Sequence, residues 1–314
     1  MNRLGTGRYE PNRTSRRIKG EVFKVACLLA TLTGLVVLAL LLASILFSTL
    51  RHTPGESLAE SLRGLPSFLM RLLSRFSSSE ADRAGFKAGV AGSLWLLGLV
   101  ALMAIPTGVG TALYLEEYAR PGRFKSIVQT NIANLAGVPS VVYGLLGLAL
   151  FNRAFGFRAF ALGPSLLTGA LTLSLLVLPT VVIATREALR TVPNTLRQAA
   201  LALGATKWQV VRDHVLPSAM PGILTGTILA LSRAVGETAP LLLVGAAGAI
   251  RSRPRGPGDR YTALPVEIYN YAQEPAVAFQ SVAAGGILIL LIMLLTMNAA
   301  AIVIRNRSAR LPRA

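Results

Sequence analysis

Two ionisable residues stand alone in a long apolar stretch. From His214 to Ile250 the only Asp, Glu, Lys or Arg residues are Arg233 and Glu237, and Thr238 follows directly. At i, i+4 the two charged side chains share one face of a helix, although Arg before Glu is the weaker order for such a pair. An arginine inside a membrane span costs about 2.5–3.5 kcal/mol on insertion scales, so it persists where it is paired, faces a cavity or works. One reading is structural: Glu237 neutralises Arg233 and makes it tolerable. The other is functional: the planar guanidinium fork binds tetrahedral oxyanions through two hydrogen bonds. Glu237 would hold Arg233 at rest, an arriving anion would compete for it, and the Thr238 hydroxyl would add a donor. The sequence puts Arg233, Glu237 and Thr238 forward as a substrate path.

Other chemistries find little support. The single cysteine, Cys27, cannot form an internal disulfide or a Cys-rich metal site, and His52 and His214 lie far apart. There is no H-E-x-x-H metal motif and no G-x-x-x-x-G-K-[ST] phosphate loop. The expectation is a chain with no catalytic residue, no metal, no cofactor and no ATPase site of its own. Asn131 and Asn134 are polar residues in an apolar run, suited to a cap, to an interhelical bond or to a place on a transport path.

These residues need elements to hold them. Of 314 residues, 53% are hydrophobic and 15% charged, with a net charge of +18. A soluble domain averages about 25% charged residues. Basicity in so oily a chain argues for a membrane protein and against a nucleic-acid binder. A bilayer core of about 30 Å takes roughly 20 helical residues. Uncharged runs cover 25–50, 88–115, 126–152, 159–185 and 275–304, and 214–250 is interrupted only by the Arg–Glu pair. The prediction is all-α: a polytopic helix bundle of six transmembrane helices. The first run is too long for a cleaved signal peptide and reads as a retained anchor. The organisation is a basic tail (1–24), a first span (25–50), an outer loop (51–86), a core (87–304) and a second tail (305–314).

Basic residues gather on cytoplasmic segments. With both termini inside, 19 of the 32 lie in the inner segments and 11 in the outer loops. Much of the excess would meet anionic lipid of the inner leaflet. The segment 57–76 mixes Leu, Phe and Met with Arg, and reads equally as an interfacial helix or as a lid on the bundle. Gly222, Gly226, Ala230 and Ala234 recur every fourth residue, as do Ala136, Ser140 and Gly144, and such ridges let membrane helices pack closely.

The inner loop 186–217 is too polar to span. Pro193–Asn194 marks a turn. Leu196, Ala199, Ala200 and Leu203 recur at helical spacing, and Gly204 sits where a helix-ending glycine would. A second short helix is expected over about Thr206–Val215, ending before Pro217. This helix–Gly–helix fits a docking knob and fits a packed loop equally well.

That stretch, Gln198-Ala199-Ala200-x-x-x-Gly204 through Leu216-Pro217, resembles the EAA loop of ABC-importer permeases, with Gln198 where the family carries Glu and His214 where it usually carries Ile. LALSRAVGETAPLLL (229–243) and NLAGVPSVVYGLLGLALF (134–151) resemble the phosphate-importer permeases of the PstA type. The resemblance covers roughly 85–304. It implies the type I, MetI-like permease architecture and import of inorganic phosphate across a bacterial plasma membrane. It assigns ATPase coupling to Gln198, Ala199, Ala200 and Gly204. The implied partners are a second similar permease, an ATP-binding subunit dimer that uses the ATP, and an extracytoplasmic phosphate-binding protein. Importers of sulfate, molybdate or phosphonate share the loop and remain the alternative within the class. A secondary transporter or a membrane enzyme is the alternative outside it.

Overall fold

A computed structural model of the chain describes residues 13–50, 58–156, 161–246, 248, 250 and 252–309. Their regular elements are all helices, with no strand among the described residues. The chain divides into two compact units, Met1–Ser48 and Thr49–Ala314.

The first unit is occupied by α1 (Arg13–Leu50). Its span, Lys19–Leu50, has an 18-residue apolar window with no buried side chain. An apolar helix that buries none of that surface is one suited to lipid.

The second unit holds the bundle. Helices α2 (Leu58–Ser74), α3 (Lys87–Leu113), α4 (Arg123–Ala136), α5 (Ser140–Gly147) and α6 (Leu166–Arg190) are followed by the short α7 (Asn194–Ala202) and α8 (Lys207–Gln209). Then come α9 (Leu216–Gly236), α10 (Ala239–Leu243), α11 (Leu264–Gln273) and α12 (Val277–Ala309). Among the described residues five helices are long and apolar enough to cross a membrane, and a sixth span results if the bent pair α4–α5 counts as one.

Contacts fix the directions. Gly92 at the start of α3 abuts Thr262, and Gly169 at the start of α6 abuts Tyr261, while Arg186 near the end of α6 meets Glu116 beyond the end of α3. Helices α3 and α6 therefore run parallel. Helix α9 runs antiparallel to α6: a Cβ on Gly222 would lie 2.7 Å from that of Ala188, and one on Gly226 would overlap Ala184. Two glycines of the predicted ridge thus bring two backbones together, as close membrane packing requires. Helix α12 returns beside α9, where Ser232 Oγ is 2.6 Å from Asn298 Oδ1.

Three departures from the sequence reading have physical causes. The span expected over 126–152 is broken, because Gly137, Val138 and Pro139 separate α4 from α5 at a bend of 102°. A residue before proline is pushed out of the helical region, so Val138 cannot continue α4. The helix expected to stop before Pro217 does not stop. It widens into a π-helix over Val210–Val215 and carries on as α9, with Pro217 in the first turn of that segment. There the missing amide is tolerated. The span expected over 214–250 ends at Gly236, and α10 starts beyond Thr238.

The amphipathic segment 57–76 is a helix packed on the bundle, for its described part. Phe68 and Leu72 of α2 are buried in a cluster with Phe86, Ile268, Tyr271 and Phe279. That favours the lid, while Met70 stays exposed on the outer side.

Candidate functional site

The loop after α6 is built from two well-made caps. Gly204 adopts φ +86°, a left-handed conformation that suits glycine. Its amide donates to the Leu201 carbonyl (3.0 Å), and the Ala205 amide donates to that of Ala200 (3.2 Å). This is the Schellman pattern. Directly after it, Thr206 opens α8 with a capping box: its hydroxyl accepts from the Gln209 amide, and Gln209 Oε1 accepts from the Thr206 amide at 2.8 Å. Such a box satisfies two amides that the helix start would otherwise leave free.

Between the caps the apolar stripe divides. Ala200 is buried and Leu196 half-buried against Leu189, Val192, Val210 and Val215. Gln198, Ala199 and Gly204 are exposed. So are Leu201, Trp208 and above all Leu203, which is 89% exposed. A loop that merely packed on the bundle would bury Leu203. The sequence held docking and packing equal. The structure gives Leu196 and Ala200 to packing and turns the rest outward.

The loop is tied to the spans by ion pairs at the end of α3. Beyond Leu113 that helix widens into a π-turn, Tyr114–Tyr118, which carries Glu116 and Glu117. Arg186 Nε donates to Glu116 Oε1 at 2.7 Å, with both side chains nearly buried, and Arg190 reaches the same oxygen at 3.0 Å. Arg197 donates to Glu117 Oε1 at 2.9 Å and to the carbonyls of Leu189 (2.9 Å) and Val192 (2.7 Å), with the Asn194 side chain at 3.1 Å. One guanidinium thus closes the end of α6, braces the turn and holds α3. Of these residues only Glu116 and Arg186 stood out in the sequence, as limits of uncharged runs. The signal was the adjacency of two acids at the end of one span and Arg186 at the end of another.

Arg233 and Glu237 pair as their spacing predicts, with Nε 3.3 Å from Oε1. Glu237 is the residue at which α9 stops, and Thr238 precedes α10. The Glu237 side chain is mostly buried, but that of Arg233 is 53% exposed. Between them in sequence, Ala234 and Val235 line a small apolar cavity with Leu96 and Val100 of α3 and Leu173 of α6. Asn131 binds its own helix, at the Ile127 carbonyl, and Asn134 is exposed. The structure does not bring the loop residues and the Arg233 group together: they lie at opposite ends of α9.

Apolar spans, an exposed helix–Gly–helix knob and an ion pair in the last turn of a span define a polytopic membrane helix bundle. Comparison with known proteins narrows the class. Residues 104–309 match the family model for the binding-protein-dependent transport system inner membrane component. The chain is 41% identical over 227 residues to the phosphate transport system permease protein PstA 1 of Mycobacterium tuberculosis, covering 70% of each chain. It is 33% identical over 237 residues to the phosphate transport system permease protein PstA of Haemophilus influenzae, covering 75% of this chain and 81% of that one. In fold it matches a chain of a bacterial ABC transporter involved in the import of the acidic polysaccharide alginate. The TM-score is 0.63, with 17% identity, 94% of this chain and 99% of that one covered. The chain belongs to the binding-protein-dependent permeases of ABC importers.

Proposed function

We propose that this chain is a transmembrane subunit of an ATP-driven importer of inorganic phosphate, forming part of the translocation path. The observation that carries the reading is the half-exposed Arg233 guanidinium in the last turn of an apolar span, held by Glu237 where α9 breaks. Lipid is a costly neighbour for such a charge. A second, similar permease would cover that face and leave a polar path between the two. The guanidinium suits a tetrahedral oxyanion, and the relatives named as phosphate permeases support phosphate as that anion.

The exposed faces of α7 and α8, with Gln198, Ala199 and Gly204, would dock on an ATPase dimer in the cytoplasm. ATP hydrolysis there would tilt the spans between inward- and outward-open states. An extracytoplasmic phosphate-binding protein would deliver the anion at the α2–α11 end. Both chain termini would be cytoplasmic, in the inner membrane. The chain's own contribution is positional, with no covalent step.

Labelled-phosphate uptake tests the reading in cells making Arg233→Gln or Arg233→Lys at normal protein levels. Uptake should fall in both, since lysine keeps the charge and loses the fork. Normal uptake in both removes Arg233 from the path.

A further inference from the structure

Movement at a docking loop must reach the spans through some contact. Apolar contact is non-directional, and α7 touches the bundle through Leu196 and Ala200 only in that way. Charge-assisted hydrogen bonds are short and directional. The structure supplies two sets, both rooted in the π-turn at the end of α3. Successive residues of a helical turn point about 100° apart, and here Glu116 faces α6 and Glu117 faces α7. Glu116 takes Arg186 and Arg190, and Glu117 takes Arg197, the residue just before Gln198.

We infer that Glu117 and Glu116 are positioning residues for transport: an ionic clamp through which displacement of α7 is passed to α3 and α6 together. This rests on the proposed importer reading. The clamp holds as a rigid link. Arg197 has all its donors engaged, on Glu117, the Leu189 carbonyl of α6, the Val192 carbonyl of the turn after it and Asn194, so α7 cannot shift without pulling both spans. The clamp is distinct from the docking surface, since both glutamate side chains face inward at 12% exposure or less. Removing it should leave docking and ATP turnover in place and cut the transmission.

The test uses the full complex, with its second permease and ATPase, in proteoliposomes, reading both labelled-phosphate uptake and ATP hydrolysis. Glu117→Gln keeps the shape and removes the charge. Its uptake per ATP hydrolysed should fall about tenfold, within the range of coupling between distant sites, while hydrolysis stays within about twofold of wild type. Glu187→Gln, which loses only an exposed pair with Arg190, should leave the ratio unchanged. If Glu117→Gln does not assemble, Glu117→Asp, which keeps the charge one methylene back, decides by the same ratio. An unchanged ratio, or uptake and hydrolysis falling together, overturns the clamp. Wild-type complex that takes up no phosphate would instead overturn the importer reading.

Discussion

Burial pushes the Glu267 carboxyl up to about 8 from its ordinary 4.5, with the Gly89 amide pulling weakly the other way. The side chain is 1% exposed in α11, beside the first turn of α3. Among the described residues neither oxygen has a hydrogen bond of good geometry. The sign follows from proton counts. Below pH 4.5 both folded and unfolded chains hold the proton, and Glu267 contributes no pH dependence. Between 4.5 and 8 only the folded chain holds it, so stability falls as pH rises. Above 8 the loss is complete. A shift of this size corresponds to a total on the order of 5 kcal/mol, with about 3 kcal/mol already lost at pH 7. Glu267→Gln has no proton to lose, though its buried amide costs about 1–3 kcal/mol if left unpaired. The assay is thermal unfolding of the purified full chain in detergent from pH 5 to 9. The difference between wild type and Glu267→Gln should move in favour of the variant up to pH 8 and then level off. A difference that stays constant across the range refutes the assignment of a buried neutral acid.

Two further outcomes follow from particular contacts. Gly226→Val would drive side-chain atoms into Ala184 on the seam between α6 and α9. Overpacking of that kind costs about 1–3 kcal/mol, read as a lower melting temperature, whereas Gly236→Ala, with open space around it, should be nearly silent. Gly204→Val forces a β-branched residue to φ +86°, at a cost of about 1–3 kcal/mol. Its membrane level should hold while co-purification with the ATPase subunit falls.

Much of the fold was legible because membrane helices announce themselves by uninterrupted apolar runs. Five of the spans lie on runs that could be counted, and Gly204 was readable as a helix end. The boundaries were less so. Val138–Pro139 hid in an uncharged run, and a count of charges cannot see a bend. Pro217 looked like a stop because the reading assumed an α-helix before it, and the π-helix over Val210–Val215 leaves no mark in composition. The Arg233–Glu237 pair was legible from its spacing, but its exposure was not, since that depends on what α5 and α10 leave uncovered. The ion pairs of Glu116 and Glu117 join residues 70 and 80 positions away. Only the parallel course of α3 and α6 brings them together.

A π-helix can be regarded as an α-helix holding one surplus residue. Each residue turns an α-helix by about 100°. The surplus in Val210–Val215 therefore sets an angular offset between the start of this helix, with Lys207 and Trp208, and the Gly222–Gly226 seam that fixes the span against α6. The direction in which Trp208 points from the bundle is dialled by a single residue's worth of phase. Deleting one residue there would turn Lys207 and Trp208 by about 100° relative to that seam.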